Sequence, residues 1–320
     1  MLHRRALLGT ASSAALAAAW PAHAADNLKI MAPAAPGGGW DQTARSMQQA
    51  IQAAGLAKTV QVTNVPGAGG TIGLAQFVNN AKGDPNSLMV CGLVMVGAIL
   101  ANKSPVNLSM ATPIARLTGE WQAIAVPAKS PIKDLAGLVA AMKADPGKVS
   151  WAGGSAGGVD HVMVGLFAKA IGLDSTKINY VAFSGGGEAQ AALLGGHVSA
   201  GVSGWGEFAQ QAEAGKIRML AIAAETRPTG SKVGTLREQG IDIVLSNWRG
   251  VVAAPGLSPA QTTELVEQVS KLAKSQPWKA VLEKNDWSDQ FLAGEEFGKF
   301  IAAENTRVAT VLESIGLLKR

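Results

Sequence analysis

Two rhythms of apolar residues run along the chain. Short β-type runs at Leu28 to Met31, Thr59 to Thr63, Leu88 to Val94, Val149 to Ala152 and Ile178 to Ala182 alternate with stretches of helical spacing. After the first run, Ala44, Met47, Ile51 and Ala54 share one helical face, and Gly55 stops the helix. After the second, a helix runs through Phe77 and Val78. After the fourth, Val159, Val162, Met163, Leu166 and Ala170 predict an inward face, and after the fifth a helix runs to Leu194. Strands alternating with helices predict an α/β fold on a parallel or mostly parallel sheet. The last third reads differently. Ile241 to Leu245 and Val251 to Ala254 predict strands. Ser258, Pro259 and Gln261 predict a helix start with a capping box, and further helices are expected near Pro277 to Lys284 and Glu295 to Ile315. No Gly-rich loop separates these elements, so the tail reads as packing rather than site.

Four Gly-rich loops each follow a strand and open a helix: Pro36 to Asp41, Pro66 to Thr71, Gly153 to Gly158 and Ser184 to Gly187. They fall at the carboxyl ends of strands, where open α/β sheets bind ligands. A helix N-terminus has unpaired N–H groups and about half a positive charge. Several of them around one cleft make an anion site from backbone amides. None of the four loops holds a Lys, so the phosphate loop G-x-x-x-x-G-K-[ST] is absent. Gly67 to Gly73 only approximates a dinucleotide fingerprint. Gly153-Gly154-Ser155-Ala156-Gly157 matches the G-x-S-x-G nucleophile elbow, which keeps a secreted esterase using Ser155 as the rival reading. That chemistry needs a base. Beyond the leader the chain has only His161 and His197, and the 123 residues after His197 contain no further His. Ser155 is therefore read as a hydroxyl donor to a ligand. Trp40 and Trp205 lie in candidate site loops, where cleft lining and plain packing stay open alternatives.

Composition narrows the classes. At roughly 150 residues per domain, 320 residues predict two domains. With 48% hydrophobic and 16% charged residues the chain is no disordered segment. One Cys excludes an intramolecular disulfide, and Cys91 inside the apolar run Leu88 to Leu100 reads as a buried thiol. Two separated His and one Cys give no metal-ligand spacing, so no metal and no cofactor is expected. Lys and Arg are scattered, so no nucleic-acid partner is expected. Residues 1–24 read as a signal peptide: Arg4 and Arg5 precede a small apolar stretch, and Ala22-His23-Ala24 fits a cleavage site after Ala24. The Arg pair leaves a twin-arginine route open beside the general one. Loss of Arg4 and Arg5 takes the net charge from +5 to +3. The 13-residue run Leu88 to Leu100 is short of the ~20 residues that a membrane span needs.

Several segments together resemble one family. Pro36-Gly37-Gly38-Gly39-Trp40-Asp41-Gln42-Thr43-Ala44-Arg45 and Asn64-Val65-Pro66-Gly67-Ala68-Gly69-Gly70-Thr71 are similar to the first two loops of the substrate-binding proteins of tripartite tricarboxylate transporters, the Bug family. Ser130-Pro131-Ile132-Lys133-Asp134-Leu135 resembles the opening of their second domain. Tyr180 to Glu188, Leu194 to Val198, Lys216 to Ala221 and Trp248-Arg249-Gly250 resemble the tricarboxylate-binding branch. The resemblance covers the whole chain after the leader.

It implies a type II periplasmic binding protein: two α/β domains, 25–124 plus 243–320 and 125–242, closing on a ligand cleft between them. It implies a monomeric, periplasmic receptor that captures a small carboxylate, such as citrate, and delivers it to two membrane permease subunits. A sensor partner is the alternative for the closed form. By position it implies ligand contacts from Gly38, Gly39, Asp41, Gly70 and Thr71 in the first domain, and from Ser155, Ala156, Asp160, Gly185 and Gly186 in the second. Asp41 and Asp160 are read as helix caps or as acceptors from a ligand hydroxyl or amine. Arg249 stands where most members carry an aromatic. Together with Arg45, it is a candidate for a distal carboxylate, a surface ion pair being the alternative. Val202 to Gly206 replaces a stretch that often carries an Asp, and the loop Gly153 to Gly158 is unusually rich in Gly.

Overall fold

Residue patterns become elements as follows in the computed structural model, which describes residues 27–183 and 186–318. The leader, its cleavage site and Gly185 lie outside the described residues. In β1 (Asn27–Ala32), Leu28, Ile30 and Ala32 alternate inward. Then come α1 (Gly39–Ala53), β2 (Thr59–Asn64), α2 (Thr71–Asn80), β3 (Ser87–Gly92), α3 (Leu93–Ala101) and β4 (Thr112–Pro127). The middle of the chain forms α4 (Leu135–Ala144), β5 (Ser150–Gly153), α5 (Val159–Ala170), β6 (Asn179–Ala182), α6 (Gly186–Leu194), β7 (Ala200–Gly204), α7 (Trp205–Glu213) and β8 (Ile217–Ile222). The chain then returns through β9 (Ser246–Ala253), α8 (Pro259–Lys274), α9 (Gln276–Lys284), β10 (Ser288–Ala293) and α10 (Gly294–Ser314).

Strand order is β2-β1-β3-β9-β4-β7-β5-β6, with β8 and β10 also paired to β4. The pairs β1–β2, β1–β3, β5–β6 and β5–β7 are parallel, as expected of strand–helix repeats. Every pair made by β4 and β9 is antiparallel, so the sheet is mixed rather than mostly parallel. The reason is connectivity. The first part of β4 pairs with β9 and β10, and its last part, from Gln122 on, pairs with β7 and β8. One 16-residue strand thus leaves one α/β lobe and enters the other. The return passes at Leu245, whose N–H reaches Ala223 O at 2.9 Å and whose carbonyl accepts from Gln122 N–H at 3.1 Å.

Three expectations need correction. Ile241 to Leu245 is no strand: Ile243 N–H turns back to Ile241 O at 2.9 Å, and the ladder starts only at Ser246. The run Leu88 to Val94 is a strand only to Gly92, and α3 starts at Leu93 without a loop. In α5, Ala170 is exposed and Leu166 half-buried, while Val164, Phe167 and Ala168 are buried. This helix packs on its own sheet and also against α10 of the other lobe, where Gly165 lets Ile315 approach, so its buried stripe is wider than one face. The capping box of α8 forms as expected, with Ser258 Oγ accepting from Gln261 N–H at 3.3 Å and Gln261 Oε1 accepting from Ser258 N–H at 2.9 Å. Among the described residues no helix is long and apolar enough to cross a membrane.

Candidate functional site

A cavity of about 470 Å³ lies between the lobes. Its walls are helix N-termini. Gly38, Gly39 and Trp40 of α1 face Ser155, Gly158 and Val159 of α5, with Val94 of α3 and Gly186 of α6 beside them. Each loop is held by an acid from its own helix. Asp41 Oδ2 accepts from Gly37 N–H at 2.8 Å, and Asp41 Oδ1 accepts from Asn64 Nδ2 at 2.8 Å. Arg45 Nε lies 3.0 Å from the same carboxylate. Burial pushes the Asp41 pKa up, but the hydrogen bonds from Arg45, Gly37 and Asn64 outweigh it and hold it below the usual value.

In the second lobe, Asp160 Oδ2 accepts from Gly154 N–H at 2.7 Å. Tyr180 OH donates to Gly154 O at 2.8 Å, and His161 stacks on Tyr180 at 4.0 Å between ring centres. Gly157 N–H donates to His161 Nδ1 at 3.3 Å. Among the described residues no cation offsets Asp160. Burial, opposed by the Gly154 hydrogen bond and reinforced by Glu207 and Glu120, pushes its pKa up to about 7. Burial lowers that of His161 to about 4.

The floor comes from the sheet. Arg249 on β9 is only 6% exposed. Its Nη2 lies 3.1 Å from Glu120 Oε1, and its guanidinium sits over the Trp287 ring at 4.9 Å. Glu120 Oε1 also accepts from Trp287 Nε1 at 2.7 Å. A side chain at position 39 would collide with this arrangement: a Cβ on Gly39 would lie 3.0 Å from Arg249 Nη2. Two buried polar atoms on the floor have no partner, Arg249 Nη1 and Gln122 Oε1. Buried polar groups are rarely left unpaired, so these two mark where a bound molecule belongs. Ser203 Oγ donates to Glu207. Desolvation and Glu120 raise the Glu207 pKa against the opposing effects of Ser203 and Arg249.

Of the residues expected at the site, Gly38, Gly39, Trp40, Ser155, Asp160, Gly186 and Arg249 line this cavity. Five do not. Asp41 turns away from the cleft to its partners in the loop. Gly70 sits under Trp40, where a Cβ would lie 2.6 Å from the indole, so its loop props the wall instead of forming it. Thr71 Oγ1 donates to Ala68 O at 2.9 Å. Ala156 is exposed and off the wall. Trp205 is half-buried against the smaller apolar cluster around Phe208 and Leu193. Arg45 pairs with Asp41 instead of reaching the cleft, and Arg249 is in no surface ion pair. Sequence reasoning missed Glu120, Gln122, Ser203, Glu207 and Asn247, which line the floor from strands and from a helix start that no Gly-rich loop announces.

The sequence profile described as the tripartite tricarboxylate transporter family receptor matches residues 43–317. The chain belongs to this family. Protein BugT of Bordetella pertussis is 28% identical over 302 residues, spanning 90% of this chain and 89% of its own. A ligand-free TctC solute binding protein from Polaromonas superposes with a TM-score of 0.75 at 27% identity, covering 90% of this chain and 98% of that one. MatC from Rhodopseudomonas palustris, solved with bound malate, shares the fold with a TM-score of 0.74 at 24% identity, covering 89% and 98%. The fold is that of the two-domain periplasmic binding proteins, and the family consists of solute receptors for small carboxylates, not enzymes. The elbow-like Ser155 fits that reading: His161 uses Nδ1 on Gly157 N–H and its ring face on Tyr180.

Proposed function

We propose that the protein is the exported receptor of a tripartite carboxylate transporter. It acts as a monomer in the periplasm after cleavage behind Ala24. Its lobes, 25–124 plus 243–320 and 125–242, close over a small carboxylate and present it to two membrane permease subunits. The observation that carries the reading is the unpartnered Nη1 of buried Arg249, placed beside the amide-rich start of α1 and across from that of α5. A carboxylate bound there gains a charge-assisted hydrogen bond and the field of two helix ends. Citrate is the ligand that the family resemblance nominates. The acids Glu120, Asp160 and Glu207 along the same cavity count against a trianion.

The test is thermal unfolding of residues 25–320 against citrate, tricarballylate, malate, succinate, aspartate, glutamate and nicotinate. A ligand at ~100 times its Kd adds about 2.7 kcal/mol, or roughly 5 to 10 °C in a chain of this size. A shift for one or more carboxylates, lost in Arg249→Met, supports the reading. No shift from any of them, with a chain that mass spectrometry shows free of carried-over ligand, sinks it.

A further inference from the structure

The cavity holds one buried cation and three acids, and that balance is unusual for a site that takes anions. Arg249 faces Glu120, Asp160 and Glu207. Glu120 is the ion-pair partner of Arg249, so the pair is close to neutral before any ligand enters. Glu207 has no such partner. It accepts from the neutral hydroxyl of Ser203, and the one cation that acts on it is Arg249, already engaged. Lys284 lines an adjoining cavity that Glu207 also borders, but it is not among the charges that act on Glu207.

A second observation is independent of charge. Gln122 is 1% exposed, and its Oε1 has no donor. A carboxylate oxygen cannot satisfy an amide oxygen; only an N–H or O–H can. The floor thus displays one unfilled donor, Arg249 Nη1, and one unfilled acceptor, Gln122 Oε1. Two unlike orphans ask for a ligand with two unlike ends.

We infer that the ligand is a carboxylate that also carries a protonated nitrogen, with its carboxylate toward Arg249 and the first turns of α1 and α5 and its nitrogen toward Gln122 and Glu207. The inference rests on the receptor reading above and deepens it. A ligand hydroxyl would satisfy Gln122 but leave Glu207 uncompensated once closure removes water, whereas an ammonium answers both. Gly186 leaves room for it, since a Cβ there would stand 3.1 Å from Glu207 Oε2. The raised pKa values of Glu207 and Asp160 agree with this, since burial first and neighbouring acids second push both carboxyls up.

Matched pairs test this by calorimetry on residues 25–320 at neutral pH: succinate with L-aspartate, glutarate with L-glutamate, and butyrate with γ-aminobutyrate. Within each pair only an ammonium replaces a hydrogen. The amine member of at least one pair is expected to bind tighter by about tenfold or more, the scale of one charge-assisted hydrogen bond. Glu207→Gln and, separately, Gln122→Met are expected to lower that amine-to-plain ratio about tenfold, a readout that general loss of folding would not move selectively. Equal or tighter binding of the amine-free member in all three pairs overturns the inference and leaves the receptor reading standing. Binding of none of the six, nor of citrate or malate, overturns both.

Discussion

Gly97→Ala separates the closed cleft from the stability of the fold. Gly97 lies inside α3, and a Cβ there would stand 2.4 Å from the carbonyl oxygen of Gly157 in the loop before α5, on the other side of the cleft. Real Cβ atoms keep at least 3.0 Å, so the lobes must part by at least 0.6 Å at this point. Overpacking of this kind costs about 1–3 kcal/mol, and here the cost falls on the closed form alone. The same Ala raises helix propensity by about 0.5–1 kcal/mol in open and closed forms alike. The variant is therefore expected to bind its best carboxylate about 5- to 150-fold more weakly while the ligand-free chain, free to open, melts no lower than the parent. Calorimetry and thermal unfolding of the same preparation read the two signs. Affinity within about twofold of the parent would refute the reasoning, because the Gly97–Gly157 approach would then be no part of the bound state.

Three further expectations concern charge and access. Asp160 has its native pKa near 7 against 3.8 unfolded, so the native state binds the extra proton and stability rises as pH falls from about 7 to about 4. His161, native near 4 against 6.5, does the reverse from about 6.5 down to about 4. The opposed slopes, each at most about 1.4 kcal/mol per pH unit, mask one another. In urea titrations, Asp160→Asn should make the protein acid-labile over that window and His161→Gln should make it gain stability; parallel profiles for the two variants would contradict the assignment. Arg249→Met should cost about 3 kcal/mol, at the low end for a broken buried pair, because Glu120 keeps the Trp287 hydrogen bond; adding Glu120→Gln should recover part of that loss, and no recovery would mean that the pair is not the cause. Cys91 is fully buried and its thiol is pushed far up by desolvation, so a thiol reagent should react only at the rate of unfolding; fast labelling of the native chain would contradict its burial.

What the sequence made legible was whatever is punctuated. The starts of α1 and α5, with Gly-rich loops and periodic apolar faces behind them, were readable and do line the cleft. The loop Pro66 to Thr71 carries the same punctuation but spends it beneath Trp40 and against Ala98 of α3, a distinction that only packing makes. β4 was missed because Arg116, Gly119 and Glu120 break its alternation, and because 16 residues is far beyond the usual ~5–6 of a strand. Of these interruptions Glu120 is part of the cleft floor, so one of the features that hid the strand also gives it a role. The switch from β3 to α3 was hidden for the opposite reason: Leu88 to Leu100 is so uniformly apolar that neither period stands out. Antiparallel pairing of β4 with β9 joins residues more than a hundred positions apart, which no local pattern reports.

Four of the floor residues, Glu120, Gln122, Asn247 and Arg249, sit on the two strands that carry the chain from lobe to lobe. Glu120 is in register with Asn247, and Trp121 with Ser246, right where β4 leaves the pairing with β9. In the closure proposed above, such positions on the connecting strands lie near the axis of the motion, so opening displaces them little while it sweeps the starts of α1 and α5 apart. A solute entering the open cleft meets Arg249, Glu120 and Gln122 already in place and meets the backbone amides only afterwards. Selection is thus ordered in time: an electrostatic filter that is always set, then a geometric check as the walls arrive. The first step governs how fast a solute is captured and should weaken with added salt; the second governs how long it stays, and is timed by the reopening of the lobes.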